Sequence, residues 1–139
     1  MNNKNAEGYP DPTAATALAR VAKDERKYRP MIYVCSPYSG DIEHNISRAR
    51  GYCRYVISKG GIPVAPSLLF PQFMDDNNPV ERKLGMSFGD ALMDRCSEVW
   101  VFGNRRSPGM KAEFDRASEK KMTIKFVTEE GRCKKYGQP

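Results

Sequence analysis

Four short apolar segments, separated by stretches of helical periodicity, constrain the fold of this chain more than any other feature. They are MIYVC at 31–35, IPVA at 62–65, EVWVF at 98–102 and TIKFV at 123–127. All four are predicted strands, and EVWVF is the clearest, because it is nearly all apolar, as strands buried in a parallel sheet are. Strands that alternate with helices predict one α/β domain with right-handed crossovers.

Helical periodicity fills the intervals between these segments. Apolar residues recur at helical spacing over 41–59, and a Gly-Gly pair directly afterwards predicts the end of that helix. The same spacing returns over 84–95. A third helix is predicted over 107–121, with Ser107 as its N-cap and Pro108 as its first residue.

These elements predict the organisation of the chain. We expect a folded domain at 31–128, a flexible N-terminal arm at 1–30 with a helix that begins near Asp11, and a C-terminal tail at 129–139. The stretch 66–79 carries prolines, aromatics and acidic turn residues without a clear period. We therefore expect a long loop there, and loops of this length in compact domains more often have a function than not.

Length and composition exclude several classes of protein. The chain has 139 residues, of which 40% are hydrophobic and 29% charged, as in a one-domain globular protein. No apolar run approaches the roughly 20 residues that a membrane helix needs. The polar start, MNNKNAEGYPDP, lacks the apolar core of a secretory signal, so we expect a cytoplasmic protein with no membrane partner.

Net charge and cysteine spacing indicate which partners and which metal sites to expect. The net charge of +6 favours anionic partners, but the basic residues form no tract with interleaved aromatics. A nucleic-acid partner is therefore not expected, and a phosphorylated small molecule fits the charge as well. The cysteines form no C-x-x-C pair and there is one histidine, so we expect free thiols and no metal site. These residues are Cys35, Cys53, Cys96, Cys133 and His44.

Two loops that follow predicted strands, and one segment of the helix predicted over 84–95, carry residues with functional chemistry. Ligands of open parallel sheets bind beyond the carboxyl ends of the strands. SPYSG at 36–40 offers hydroxyls and backbone N–H groups before a helix, which suits a phosphate or a sugar hydroxyl. It is neither a P-loop nor a dinucleotide-binding fingerprint, and an ordinary strand-to-helix turn is an equal alternative.

The other two candidate segments carry carboxylates. The loop 103–109 leads into the helix that holds Glu113, where the helix dipole would favour an ionised carboxylate suited to nucleophilic attack. The alternative is a solvated acidic residue, which is common near helix starts. SFGD at 87–90 ends on Asp90, one helical turn from Asp94, and we expect at most one of these two to face the core.

Taken together, these residues resemble a known family. Asp90, the EVWVF strand and the run Ser107-x-Gly109-x-x-x-Glu113 resemble the nucleoside 2-deoxyribosyltransferase superfamily, including its 2'-deoxynucleoside 5'-monophosphate N-glycosidase branch, over about 31–127. The resemblance implies a doubly wound, flavodoxin-like parallel sheet with helices on both faces, usually as a homo-oligomer. It implies cleavage of the N-glycosidic bond of a nucleoside or nucleotide, by hydrolysis or deoxyribosyl transfer, without a metal or organic cofactor.

The resemblance also implies a role for each matching residue. Glu113 would be the nucleophile, Asp90 the carboxylate near the base or sugar, and Tyr33 the residue that orients Glu113. The chemistry would be that of a retaining glycosidase, with a covalent glycosyl-enzyme that water or a second base resolves. The substrate would be lined by residues of two loops: Ser36, Pro37, Tyr38, Ser39, Gly40, Ser107, Gly109 and Met110.

Some features depart from the family pattern. Asn104-Arg105-Arg106 stands where enzymes of free nucleosides typically carry an acidic residue, and two arginines suit a phosphate better than a hydroxyl. Asp115 replaces a small residue, and GRCKKYGQP offers no match to the partner-subunit residues that commonly complete the site. The alternative function is therefore a catalytically silent nucleotide-binding or nucleotide-sequestering module. A third interpretation is a basic nucleic-acid-associated protein.

The sequence does not decide the role of two basic residues on the first helix. His44 and Arg48 could face the mouth of the pocket, although basic side chains on helix surfaces are usually solvated. Trp100 is predicted to lie in the core rather than to stack on a ligand.

Overall fold

The computed structural model describes residues 28–129, the three helical residues Thr16, Leu18 and Ala19, and the backbone of 133–135. The strands are β1 (Met31–Cys35), β2 (Ile62–Val64), β3 (Glu98–Phe102), β4 (Thr123–Val127) and β5 (Cys133–Lys135). The helices of residues 28–129 are α1 (Ile42–Ser58), α2 (Pro66–Leu69), a 3-10 turn (Phe70–Gln72), α3 (Pro79–Asp94) and α4 (Pro108–Glu119).

The strands form one twisted α/β sheet in the order β2-β1-β3-β4-β5. The first four strands are parallel, and β5 runs antiparallel to β4. This strand order is that of the doubly wound, flavodoxin-like folds, in which ligands bind at the carboxyl ends of the strands. Helix α1 packs on one face of the sheet, and α3 and α4 pack on the other. The predicted flavodoxin-like α/β fold with helices on both faces is confirmed.

The alternation of side chains along β1 builds the two cores. Successive side chains of a strand point to opposite faces. Ile32 and Val34 therefore pack in the core on the α1 face, and Tyr33 and Cys35 pack on the face of α3 and α4. All four are at most 1% exposed, so β1 is buried on both sides. Trp100 of β3 is 7% exposed and lies in the α1-side core, as predicted.

Helix starts are set by polar caps that can be read in the sequence. The side chains of Asp41, Asn78 and Ser107 accept hydrogen bonds from backbone N–H groups of the first turns of α1, α3 and α4. Pro79 and Pro108 occupy the first helical positions, where a missing N–H costs nothing. Each such cap stabilises the fold by about 1 kcal/mol.

The structure differs from the sequence-based expectations in three segments. The expected loop over 66–79 contains α2 and the 3-10 turn, which are too short to show a period. Helix α3 starts at Pro79, five residues earlier than its apolar spacing indicates, because its first turn faces solvent and Val80 is 76% exposed. The expected tail at 129–139 contains β5, a short edge strand whose lysines are typical of strands that pair on one side.

Other expectations fall partly outside the described residues. The helix expected from Asp11 lies there except for the three helical residues named above. Cys35, Cys53 and Cys96 are free thiols, and the side chain of Cys133 is outside the described part. Cys96 is buried, and Cys53 is partly buried.

Gly61, between α1 and β2, marks the tightest approach in the α1-side core. A methyl group at this position would lie 2.8 Å from Ile32 Cγ1 and 2.9 Å from Val56 Cγ1. Both neighbours are buried and branched close to the backbone, so neither can move away at little cost.

We predict that Gly61→Ala lowers the free energy of unfolding by about 1–3 kcal/mol, because the added methyl group overpacks a buried site. Gly51→Ala is the matched control, since no described atom beyond its own helix backbone and chain neighbours lies within 4 Å of the added carbon. That change should raise the free energy of unfolding by up to about 1 kcal/mol through helix propensity. Urea denaturation measures both, and an unchanged stability of Gly61→Ala would contradict this packing.

Candidate active site

Glu113 lies on the inner stripe of α4. Met110 precedes it by three residues and Ala117 follows it by four, so the three side chains share one helix face. Met110 and Ala117 are at most 1% exposed and belong to the core between the sheet and α4. The carboxylate of Glu113 therefore points at the sheet and is not a solvated surface charge.

Two side chains of β1 hold the carboxylate. The Tyr33 hydroxyl donates a hydrogen bond to Glu113 Oε2, and the Cys35 thiol donates to Oε1 at 3.7 Å. The same thiol also lies 3.8 Å from the carbonyl oxygen of Met110. Tyr33 and Cys35 are two residues apart on β1 and therefore face the same side of the sheet. Each carboxylate oxygen thus has one donor from the strand.

Burial dominates the electrostatics of this cluster. Desolvation raises the pKa of Glu113, while the hydrogen bond from Tyr33 and the charge of Arg116 lower it. Burial and then the charge of Glu113 raise the pKa of Tyr33 and of the Cys35 thiol well above their usual ranges. Of these three acids, the carboxylate therefore ionises first, and the phenol and thiol remain protonated donors at neutral pH.

The helix dipole is not the main influence on Glu113, contrary to the expectation from sequence. The first turn of α4 contains no acidic residue, and Glu113 lies in the second turn. The dipole acts chiefly on the first turn of a helix. Desolvation at the sheet therefore outweighs it, and the pKa of Glu113 is raised rather than lowered.

Asp90 lies on α3 and is paired with cations of α4. Its Oδ1 is 3.1 Å from Lys120 Nζ and 3.5 Å from Arg116 Nε, the second an ion-pair contact rather than a hydrogen bond. Lys120 also binds Asp94 at 2.6 Å. Side chains of both aspartates are partly exposed, at 39% and 59%, so neither faces the core fully.

The two predicted carboxylates are linked through Arg116. This residue is one turn beyond Glu113 on α4, contacts Asp90 and lowers the pKa of Glu113. Gly89, next to Asp90, lies close to the Tyr33 hydroxyl, since a methyl group there would come within 3.3 Å of its oxygen. Helix α3 therefore passes directly beside the Tyr33–Glu113 pair.

The loop after β1 adds a buried hydroxyl. Ser36 is 5% exposed, and its Oγ has no hydrogen-bond partner among the described residues. An unpaired buried hydroxyl costs about 1–3 kcal/mol, which a ligand atom would recover. The rest of the loop is tied to α1, because Asn45 Nδ2 donates to the carbonyl oxygens of Tyr38 and Ser39 at 3.0 Å. Pro37 and Tyr38 are half-buried, and Ser39 and Gly40 are exposed.

The loop before α4 contributes less than expected. Ser107 Oγ is occupied as the helix cap, accepting from Met110 N at 3.2 Å, and the Met110 side chain lies in the core rather than in a pocket. Gly109 is exposed at the start of the helix. Arg105 and Arg106 are both exposed, and Arg106 Nη1 donates to the Gly103 carbonyl oxygen at 3.1 Å.

Sequence reasoning missed Cys35 as a contact of Glu113. A signal was available, because the residue two positions after Tyr33 on a strand faces the same way. Among residues 28–129 and the other described positions, no group of three or more His, Cys, Asp or Glu side chains could hold a metal ion. No helix in the described part is long and apolar enough to cross a membrane.

We predict that Glu113→Gln has a higher free energy of unfolding than the wild type at neutral pH. Because burial raises the folded-state pKa of Glu113, the folded chain binds more protons than the unfolded chain between the two pKa values. Wild-type stability therefore falls as pH rises through that window, whereas the neutral amide, which still accepts from Tyr33, avoids this loss.

Denaturation at neutral pH and at about pH 3.5, below the ordinary glutamate pKa, measures the difference. The advantage of the variant should shrink at acidic pH. Glu119→Gln, an exposed glutamate on the same helix, should show no such advantage. A Glu113→Gln variant that is less stable than the wild type at neutral pH would contradict the desolvation of this carboxylate.

Comparison with known proteins places the chain in a family. No curated protein matches it. Residues 30–127 match one family model, whose description is Domain of unknown function (DUF7768). The match spans well over half of the 139 residues and contains β1 to β4 with every residue of the Glu113 cluster. The chain therefore belongs to the DUF7768 family.

Proposed function

We propose that the protein cleaves the N-glycosidic bond of a nucleoside 5'-monophosphate or nucleoside, with Glu113 as the nucleophile. The observation that carries this proposal is a desolvated carboxylate that the Tyr33 hydroxyl holds at the carboxyl end of a parallel sheet. Desolvated carboxylates with a single strong orienting partner are typical of active sites. The resemblance of the sequence to the deoxyribosyltransferases supplies the substrate class.

The geometry gives each oxygen of Glu113 a separate task. Oε2 is fixed by Tyr33, and Oε1 has only the weak thiol donor of Cys35. Oε1 is therefore the oxygen that would attack the anomeric carbon as the bond to the base breaks and the base leaves with the bonding electrons. The resulting ester between Glu113 and the sugar is then broken by water, which gives hydrolysis, or by a second base, which gives transfer.

The surrounding charge supports an anionic substrate. Arg116 and Arg106 both lower the pKa of the Cys35 thiol, so two guanidinium groups act on this end of the sheet. Ser36 adds a buried hydroxyl beside the loop that precedes α1. We therefore favour a nucleoside 5'-monophosphate over a free nucleoside. A cytoplasmic location, where such nucleotides are metabolised, is part of the proposal.

One observation favours the alternative of a silent nucleotide-binding module. Asp90, the second carboxylate of the resemblance, is held by Arg116 and Lys120. A carboxylate whose oxygen already pairs with two cations is not free to contact the base or sugar of a substrate. If that pairing persists with substrate bound, the pocket would bind a nucleotide without turning it over.

We predict that wild-type protein incubated with a panel of nucleosides and 5'-monophosphates releases free base, or exchanges it when an acceptor base is added. Glu113→Gln should lose this activity by on the order of a thousandfold or more, because the nucleophile is gone. Asp115→Asn is the matched control, an exposed carboxylate on the same helix that should keep activity.

Chromatography of the products measures the reaction. Full activity of Glu113→Gln would overturn the role of Glu113. No product from the wild type, with 5'-monophosphates still raising the melting temperature, would establish the silent module instead.

We also propose that the protein is a homo-oligomer, as the resemblance implies. Val80, Leu84 and Phe88 form an apolar stripe along α3 and are 76%, 47% and 39% exposed. Sedimentation equilibrium should give a multiple of the 15.7 kDa chain mass, and Leu84→Glu should shift it towards the monomer. Lys83→Glu, next to the stripe, should not, and a monomeric wild type would contradict the proposal.

A further inference from the structure

A concave site lies on the face of the sheet opposite Glu113. It is a cavity of about 350 Å³ between α1 and the carboxyl ends of β3 and β4. Its floor includes Phe102 and Val127, which belong to the α1-side core, whereas Tyr33 and Cys35 belong to the core on the other face. The sheet therefore separates this cavity from the Glu113 cluster.

The polar wall of the cavity already binds a carboxylate. Arg48 Nη1 donates to Glu129 Oε2, and the Tyr52 hydroxyl donates to Glu129 Oε1 at 3.0 Å. Arg48 Nε donates to His44 Nε2 at 3.3 Å, which orients the guanidinium. These donors come from successive turns of α1, and Glu129 follows β4. The bound Glu129 carboxylate thus shows that these donors suit an anionic group.

The Glu129 carboxylate is bound weakly enough for another anion to replace it. The side chains of Arg48 and Glu129 are 46% and 29% exposed, and ion pairs with this degree of exposure contribute little to stability. An incoming anion with the same oxygen geometry could therefore take the place of Glu129 without a large loss of folding stability.

Gly51 keeps the cavity open. It lies in the middle of α1, where glycine destabilises a helix relative to alanine. No described atom beyond its helix backbone and chain neighbours lies within 4 Å of a side-chain carbon built there, and its φ is not in the left-handed region. Neither packing nor backbone conformation among the described residues requires glycine, but Gly51 lines the cavity.

The rest of the lining suits an apolar or aromatic body. The Tyr52 ring stacks on Phe102, with ring centroids 4.6 Å apart, and Tyr55 lies beside them. An apolar floor with a few convergent polar groups is typical of small-molecule sites, and the volume falls within their usual range.

We propose that this cavity binds a small organic anion, a carboxylate or phosphate monoester on an aromatic or apolar body. Its anionic group replaces the Glu129 carboxylate on Arg48 and Tyr52, and its body occupies the space beside Gly51. The site is independent of Glu113 and of the reaction proposed above.

His44 provides a selective readout, because it lines the cavity and is the only histidine in the sequence. Phenyl phosphate and benzoate are titrated into the full chain while the imidazole proton resonances are followed by NMR. Both probes should shift these resonances in the wild type. Glu129→Gln should bind severalfold more tightly, because the internal competitor has lost its charge.

Three variants test where the probes bind. Arg48→Met should weaken binding by about tenfold or more, because it removes a charged donor. Gly51→Leu should abolish binding without lowering the melting temperature, because it fills the cavity and favours the helix. Glu113→Gln, across the sheet, should bind the probes as the wild type does.

Several results would overturn the proposal. One is that the His44 resonances do not shift in either the wild type or Glu129→Gln. Another is that folded Arg48→Met or Gly51→Leu binds the probes with wild-type affinity. The third is that Glu113→Gln loses binding. Gly51→Leu keeps the test decisive if Arg48→Met fails to fold. Since none of these readouts depends on turnover, an inactive Glu113 site leaves the proposal standing.

Discussion

Burial of β1 on both faces determines where the helices pack and where Tyr33 and Glu113 meet. The strand lies between β2 and β3 and is covered by α1 on one side and by α3 and α4 on the other. Tyr33 therefore has its hydroxyl in the core, where an unpaired polar group is costly. Glu113 is its partner, and this requirement draws a carboxylate onto the inner stripe of α4.

The same arrangement links stability to chemistry. Removing Glu113 from water destabilises its ionised form, as the raised pKa shows, and Arg116 offsets part of that effect. Glu113 therefore satisfies the Tyr33 hydroxyl and is also the carboxylate for which we propose the nucleophilic role. The two sites proposed for this chain lie on opposite faces of the sheet. Both are at the carboxyl ends of the parallel strands, where ligands of such sheets bind.

Elements with a strong local signal could be predicted from the sequence. EVWVF is apolar enough to read as a buried strand, and TIKFV reads as a strand from its β-branched and aromatic residues. Strands β3 and β4 begin and end where these runs do. The capped helix start at Ser107 was equally readable. By contrast, α2 is too short for a period, and the exposed first turn of α3 has no apolar spacing to reveal it.

Contacts between distant residues were harder to predict. The position of Glu113 on an inner stripe could be read from Met110 and Ala117, but its contact with Cys35 needs the packing of β1 on α4. Arg48 and Glu129 are 81 residues apart in the sequence, so no periodic pattern predicts their pairing. The role of Asp90 stays a prediction, because its ion pairs depend on how α3 and α4 pack.

The stereochemistry of the product shows whether Glu113 forms a covalent bond to the anomeric carbon. A nucleoside 5'-monophosphate that the wild type cleaves would be incubated with an acceptor base, and the configuration at the anomeric carbon of the new nucleotide read by NMR. Where only hydrolysis occurs, the free sugar would be read before it equilibrates. Two displacements at that carbon predict retention of configuration. Inversion would contradict a covalent role for Glu113.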